Sequence, residues 1–290
     1  MLFGPPEERD AGMAESDIPG VRVADTITKM SSDDKGLVIV AASHGGVYPG
    51  YLTAAGRCRG VVLNDAGLGL DRAGIGSLDY LDRLEIAAAT VGHDTARIGD
   101  GKDMIANGRI TYVNGAAERL GCRAGQSAAE AARLMTKAPI PDGPVPEHQE
   151  DRFLLCDGPV PVWGIDSNSL VRPDDAGTIV VTGSHGGVLG GRPETAIRVD
   201  ALAAVYHDAG VGKDKAGISR LAALDPRGIA AATVDGNTAR IGDARSIWAT
   251  GRISHVNETA ASWGAKVGMT VPEFADVAAA HKTRDEIISD

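Results

Sequence analysis

Cysteine is scarce: Cys58, Cys122 and Cys156 are the only three in 290 residues, and none stands in a CxxC or CxxH spacing. An odd, scattered set supports neither a disulfide framework nor a structural zinc site, so the three read as reduced packing residues. Basic runs are missing as well. Lys and Arg number 29 against 39 Asp and Glu, a net charge of -10, and no segment concentrates the positive side chains. Binding of nucleic acid through its phosphates needs a basic footprint, and that class is excluded. No stretch approaches the roughly 20 apolar residues of a membrane span. Residues 1–20 mix Pro, Glu, Arg and Asp without the apolar core of a signal peptide, which makes the cytoplasm the expected compartment. Nor is there a GxGxxG, GxxxxGK[ST], HExxH or GxSxG motif, so no NAD or ATP loop, zinc-protease helix or nucleophile elbow is written in the chain. With 43% hydrophobic and 23% charged residues it reads as a folded globular protein.

What is present is a repeat. Ser43-His44-Gly45-Gly46-Val47 returns as Ser184-His185-Gly186-Gly187-Val188, and Gly50 returns as Gly191. DAGLGLDRAGI at 65–75 returns as DAGVGKDKAGI at 208–218, and IAAATVGHDTARIGD at 86–100 as IAAATVDGNTARIGD at 229–243. Three blocks in one order establish an internal duplication. Asp25 pairs with Asp166 and Asp33-Asp34 with Asp174-Asp175. Each unit closes on a capping box, Ser127 with Glu130 and Thr270 with Glu273, which predicts a final helix. The chain divides into an N-terminal extension at 1–19 expected to be disordered, repeat one at 20–138, a Pro-rich linker at 139–159, repeat two at 160–282 and a tail at 283–290.

Within each unit the continuous apolar runs at 37–42 and 178–182 predict strands buried on both faces, as parallel sheets require. Further strands are expected at 60–63, 86–91 and 109–113, with copies at 202–206, 229–234 and 252–256. The connections between them are long enough for crossover helices. The fold class that follows is α/β: two Rossmann-like βαβ units with mainly parallel sheets, packed about a pseudo-two-fold axis as an ancestral homodimer would be.

Ligands of parallel sheets bind at the carboxyl ends of the strands, which is where all three repeated polar blocks fall. His44 and His185 are therefore the candidate acid-base groups, with Ser43 and Ser184 as nucleophiles or oxyanion contacts. Gly45, Gly46, Gly186 and Gly187 would offer N–H groups to an oxyanion; the competing reading is a tight turn. Asp65 and Asp208 are candidate orienting carboxylates for a histidine or metal ligands, against an Asx turn before Gly67 and Gly210. Arg97 and Arg240 suit an anionic substrate, or else ion pairs with Asp100 and Asp243 that brace the units. Thr95 and Thr238 are hydroxyl contacts or turn residues. His93-Asp94 becoming Gly236-Asn237, and Asn64 becoming His207, imply that the two copies no longer do identical work.

A strand ending in SHGG followed by one ending in DAG resembles the His and Cys strands of caspase-type cysteine peptidases. Gly67 and Gly210 stand where that family has its nucleophile, so no peptidase activity follows. The expected function is an enzyme of the hydrolase, lyase or isomerase type acting on a small carboxylate-bearing metabolite, with either no cofactor or a divalent metal ion. The alternative is a non-catalytic regulatory protein that binds a metabolite or nucleotide. The partner expected in either case is a small anionic molecule, with self-association into a homo-oligomer left open.

Overall fold

The structure is a computed structural model and describes residues 13–289. The first half runs β1 (Met13–Glu15), β2 (Val21–Ala24), β3 (Val38–His44), α1 (Val47–Ala55), β4 (Gly60–Asn64), α2 (Gly76–Asp82), β5 (Ala87–Val91), α3 (Gly101–Asn107), β6 (Ile110–Val113), α4 (Gly115–Arg119) and α5 (Ala128–Met135). The second runs β7 (Arg152–Cys156), β8 (Val162–Ile165), β9 (Ile179–His185), β10 (Ala203–His207), α6 (Ser219–Leu224), β11 (Ala230–Val234), α7 (Ala244–Thr250), β12 (Ile253–Val256), α8 (Glu258–Trp263) and α9 (Val271–Ser289).

Each half is an α/β unit around one six-stranded sheet whose strands lie in sequence order. The four inner strands are parallel. Alternation along β3 and β4 explains the layers, because successive side chains of a strand leave opposite faces. Ile39, Ala41, Val61 and Leu63 pack under Leu52 of α1 and Leu78 and Leu81 of α2. Val38, Val40, Ala42 and Val62 meet Met104 of α3 and Ala131, Ala132 and Met135 of α5. Burying each aliphatic side chain of this size contributes about 1.5–3 kcal/mol, so both faces of the sheet are committed to core. The predicted capping boxes start α5 and precede α9, with Ser127 and Thr270 each exchanging bonds with the glutamate three residues on.

Several expectations are corrected. The strands predicted at 109–113 and 252–256 run antiparallel to their neighbours. Gly108 returns the chain to the carboxyl end of β5, hard against Val91, so β6 has to start at that edge and run back. The N-terminal extension and the linker each supply an antiparallel edge strand, β1 and β7. Residues 1–12 of that extension lie outside the described residues. The tail continues α9 as far as Ser289. Because strand order never reverses within a sheet, neither half has the switch-point crevice of a doubly wound fold. No helix among the described residues is long and apolar enough to cross a membrane.

Candidate functional site

The carboxyl ends of the two parallel sheets face each other, and the repeated polar loops are the seam between the halves. Neighbouring residues of a strand point to opposite faces, and this separates Ser43 from His44. The Ser43 hydroxyl accepts from the Ile27 amide at 3.0 Å and lies 3.3 Å from the Thr26 hydroxyl; Ser184 accepts from the Asn168 amide at 2.9 Å. These serines anchor the segments that follow β2 and β8. The glycine amides are engaged too. Gly45 donates to the Asn64 carbonyl at 2.7 Å and Gly186 to that of His207 at 2.8 Å. Gly46 and Gly187 each donate to Nδ1 of the preceding histidine at 3.1 Å. The oxyanion role expected of these four N–H groups therefore has no donor left, and the tight-turn alternative is the arrangement found.

His44 and His185 are thereby fixed as neutral imidazoles with the proton on Nε2. Each ring turns toward a glycine of the opposite half, His44 toward Gly242 and His185 toward Gly99. Burial, together with the nearby His207, pushes His44 down to about 4. Burial, the Arg220 cation, and His44 and His207 take His185 well below its usual value. His185 is buried, whereas His44 is half-buried.

Further seam contacts come in reciprocal pairs. The Leu70 amide donates to the Gly236 carbonyl and the Lys213 amide to the His93 carbonyl, both at 2.8 Å. Arg97 pairs with Asp214 at 3.0 Å and Arg240 with Asp71 at 2.6 Å. Each arginine also reaches the aspartate three residues on, at 2.8 Å for Asp100 and 3.6 Å for Asp243. Both arginines thus act at least as braces between the halves. Thr95 and Thr238 tie their own turns, donating to the carbonyls of Gly92 and Asp235 and accepting from the amides of Arg109 and Arg252.

One mismatch between the copies turns out to be structural. Asn64 accepts from the Ala66 amide and donates to the Ala96 carbonyl; His207 accepts from Ala209 and donates to Ala239. Amide and imidazole do the same work, with Nδ1 and Nε2 of the ring in the places of the amide oxygen and nitrogen.

The other mismatch is chemical. Asp65 and Asp208 share a backbone frame: Oδ1 of the first accepts from the amides of Gly67 and His93, Oδ1 of the second from those of Gly210 and Gly236. Only the first half adds an imidazole. His93 Nδ1 lies 2.9 Å from Asp65 Oδ1, while Thr111 donates to Oδ2 at 3.1 Å. Asp65 is buried, whereas the His93 side chain is about one-third exposed, 32%. The bond to Asp65 outweighs burial, and together with Asp94 and Asp208 it raises the His93 pKa. Burial would raise Asp65, but its bonds to His93 and to the amides leave it lowered. A carboxylate that orients one ring nitrogen leaves the other for proton transfer.

A cleft of about 630 Å³ opens along the seam on the first half's side, lined by Asp25, Arg97, Asp100, Lys102, Asp103 and Arg192 among others. That volume is within the range of small-molecule sites. Arg97 and Lys213, one from each half, both pair with Asp103, at 3.4 and 2.8 Å. Lys102 has no ion pair among the described residues. Burial raises Asp25 against the opposing pull of the Gly101 amide and Arg192.

The corresponding place in the second half is closed by the linker. The Asp151 amide donates to Asp166 Oδ2 at 2.8 Å. Glu150 is half-buried beside Asp166, and desolvation followed by that neighbouring charge pushes its carboxyl up to about 8 against a bond from Ser167. A carboxyl raised on folding contributes stability that is full below its unfolded value and is lost as pH rises to about 8. Glu150→Gln is thus expected to stabilise the protein at pH 8–9 and leave it nearly unchanged at pH 4–5; urea melts at the two pH values check this, and an equal effect at both would exclude a neutral acid.

Sequence reasoning marked His93 as a difference but not as a site residue, and it missed Lys102 and Arg192. The signal for His93 was its presence in one copy only. Among the described residues no three His, Cys, Asp or Glu side chains come together in a way that could hold a metal ion. Comparison with family models, curated proteins and solved structures gives no match.

Proposed function

We propose that the protein is a small-molecule enzyme of the isomerase or lyase type, in which His93, oriented by Asp65, moves a proton on a carboxylate-bearing metabolite. The observation that carries this reading is the His93–Asp65 pair: a partly exposed imidazole held at 2.9 Å by a buried carboxylate, in one half only. Among the described residues no serine, cysteine or lysine is bonded to the ring, so proton transfer fits better than covalent hydrolysis. Asp94 and Asp208 repel an anion from the ring itself, and the cations Arg97, Lys102 and Arg192 of the cleft, whose lining does not include His93, support that cleft as the place of the substrate's carboxylate. The reciprocal seam contacts agree with packing about a pseudo-two-fold axis, and the lone His93 makes the site single. The proton step requires no cofactor.

A panel of small carboxylates incubated with the protein in D₂O, followed by proton NMR, tests the reading through deuterium uptake at carbon. His93→Gln is expected to slow uptake by about 10²-fold or more while ligand affinity stays within about threefold. As a base His93 must be deprotonated, so the rate should rise with pH through a value above the usual histidine range. Unchanged uptake in His93→Gln overturns the assignment. The second reading, a metabolite-binding regulatory protein, is favoured by the engagement of all four glycine amides in turns; ligands that bind with no uptake in the unsubstituted protein would select it.

A further inference from the structure

The duplication supplies an internal comparison for the cleft. Asp25 and Asp166 are counterparts, and each gives Oδ1 to the first amide of a helix, Gly101 at 3.0 Å and Ala244 at 2.9 Å. Beside them stand the counterparts Thr26 and Ser167, each hydroxyl turned to a second hydroxyl two residues on. The frames are the same and their contents differ. In the second half Oδ2 of Asp166 accepts the backbone N–H of Asp151, and the Glu150 carboxyl lies alongside. In the first half Oδ2 of Asp25 has no hydrogen bond among the described residues; its nearest charge is Arg192 Nη2 at 3.7 Å.

Arg192 stands at the sequence position that Tyr51 holds in the other copy. Among the described residues no cation pairs with Glu150, which lies near Tyr48 of that copy, and its carboxyl is pushed up to about 8. Where Arg192 replaces tyrosine, an entering carboxylate meets a guanidinium fork and can remain charged.

Resting on the reading of the cleft as the ligand site, we propose that it takes a small amidocarboxylate, whose N–H donates to Asp25 Oδ2 and whose carboxylate pairs with Arg192. The Glu150–Asp151 segment is a built-in copy of that ligand, placed in the half where no site is left open. Its chemistry sets the spacing: a carboxyl at the end of a glutamate side chain and the amide N–H that follows the same residue.

The probe is N-acetylglutamate N-methylamide, titrated calorimetrically into the full chain. Saturable binding is expected, weaker by about tenfold or more for the glutamine analogue, which lacks the charge, and for the N,N-dimethylamide, which lacks the N–H. Arg192→Tyr, which installs the other copy's residue, and Asp25→Asn, which turns an acceptor toward the N–H into a donor, should each cost at least tenfold. Arg192→Lys should recover part of the loss, and melting curves identify any variant that fails to fold. Equal binding of the glutamate and glutamine probes, or undiminished binding by Arg192→Tyr, overturns the proposal. Glutarate, which has carboxylates but no N–H, separates the two levels. If glutarate binds as well as the probe and depends on Lys102, the cleft stands as a carboxylate site and the amidocarboxylate assignment falls; if no carboxylate binds, both fall.

Discussion

Gly67→Val is expected to destabilise the protein by about 4 kcal/mol, from about 1–2 for the left-handed backbone and the rest from overpacking. Gly67 has φ +73°, and a Cβ placed on it would lie 2.8 Å from Cα and 3.1 Å from N of Gly210, its own counterpart in the other half. The obstacle is backbone, so no rotamer relieves it, and relief requires the halves to part. Gly210→Val should behave alike, since it meets Gly67 Cα and the His93 ring, each at 2.9 Å. For a chain of this length such a loss corresponds to a fall in melting temperature of roughly 10 °C. Gly158→Ala is the control, because nothing lies within 4 Å of its added carbon. Thermal unfolding followed by circular dichroism decides the matter: a melting point for Gly67→Val equal to that of Gly158→Ala would mean that the halves do not meet at this glycine pair.

Acid is the second strong lever. Burial lowers the pKa of His44, His185 and His207, and for His207 it prevails over the pull of Asp208. A histidine depressed on folding contributes stability that is full above its unfolded value near 6.5 and is lost as pH falls through the folded value. For His44, with a folded value of about 4, the loss by pH 5 amounts to about 2 kcal/mol, and the other two add in the same direction. His93 opposes them, since its raised value makes protonation favour the folded state. Glu150 opposes them as well, its raised carboxyl favouring the folded state as pH falls, so the histidine contribution is read from the difference between variants. Urea unfolding at pH 7.5 and pH 5 measures it, and His207→Asn provides the discriminating variant. Asparagine already makes the same two hydrogen bonds at position 64, so neutral stability should stay within about 1 kcal/mol while the acid loss shrinks. An acid loss of unchanged size in His207→Asn would place the titrating group elsewhere.

The first half's His93–Asp65 pair was not what the repeat pointed to. Histidine repeated beside two glycines reads as chemistry, yet His44 and His185 each accept a glycine amide at Nδ1 and turn toward a glycine of the opposite half. His93, which is not repeated, is the imidazole with an orienting carboxylate and an exposed edge. A task that both halves perform alike preserves both copies, whereas a single site needs its group only once.

Local interactions and pattern made the duplication, the buried parallel strands and the capping boxes legible in the sequence. Each depends on residues within a few positions or on a period along one element, and so each is written where it acts. The antiparallel turn of β6 and β12 and the edge strands drawn from the extension and the linker depend on how neighbouring strands pair, and the partners of Arg97 and Arg240 on where segments 117 and 169 residues apart come to rest. Only tertiary structure decided those, because the repeat specifies two equal halves but not which groups each half gives to the other. The linker crosses the first half and ends beside Asp166 of the second, and this closes the place beside Asp166 while the place beside Asp25 stays open.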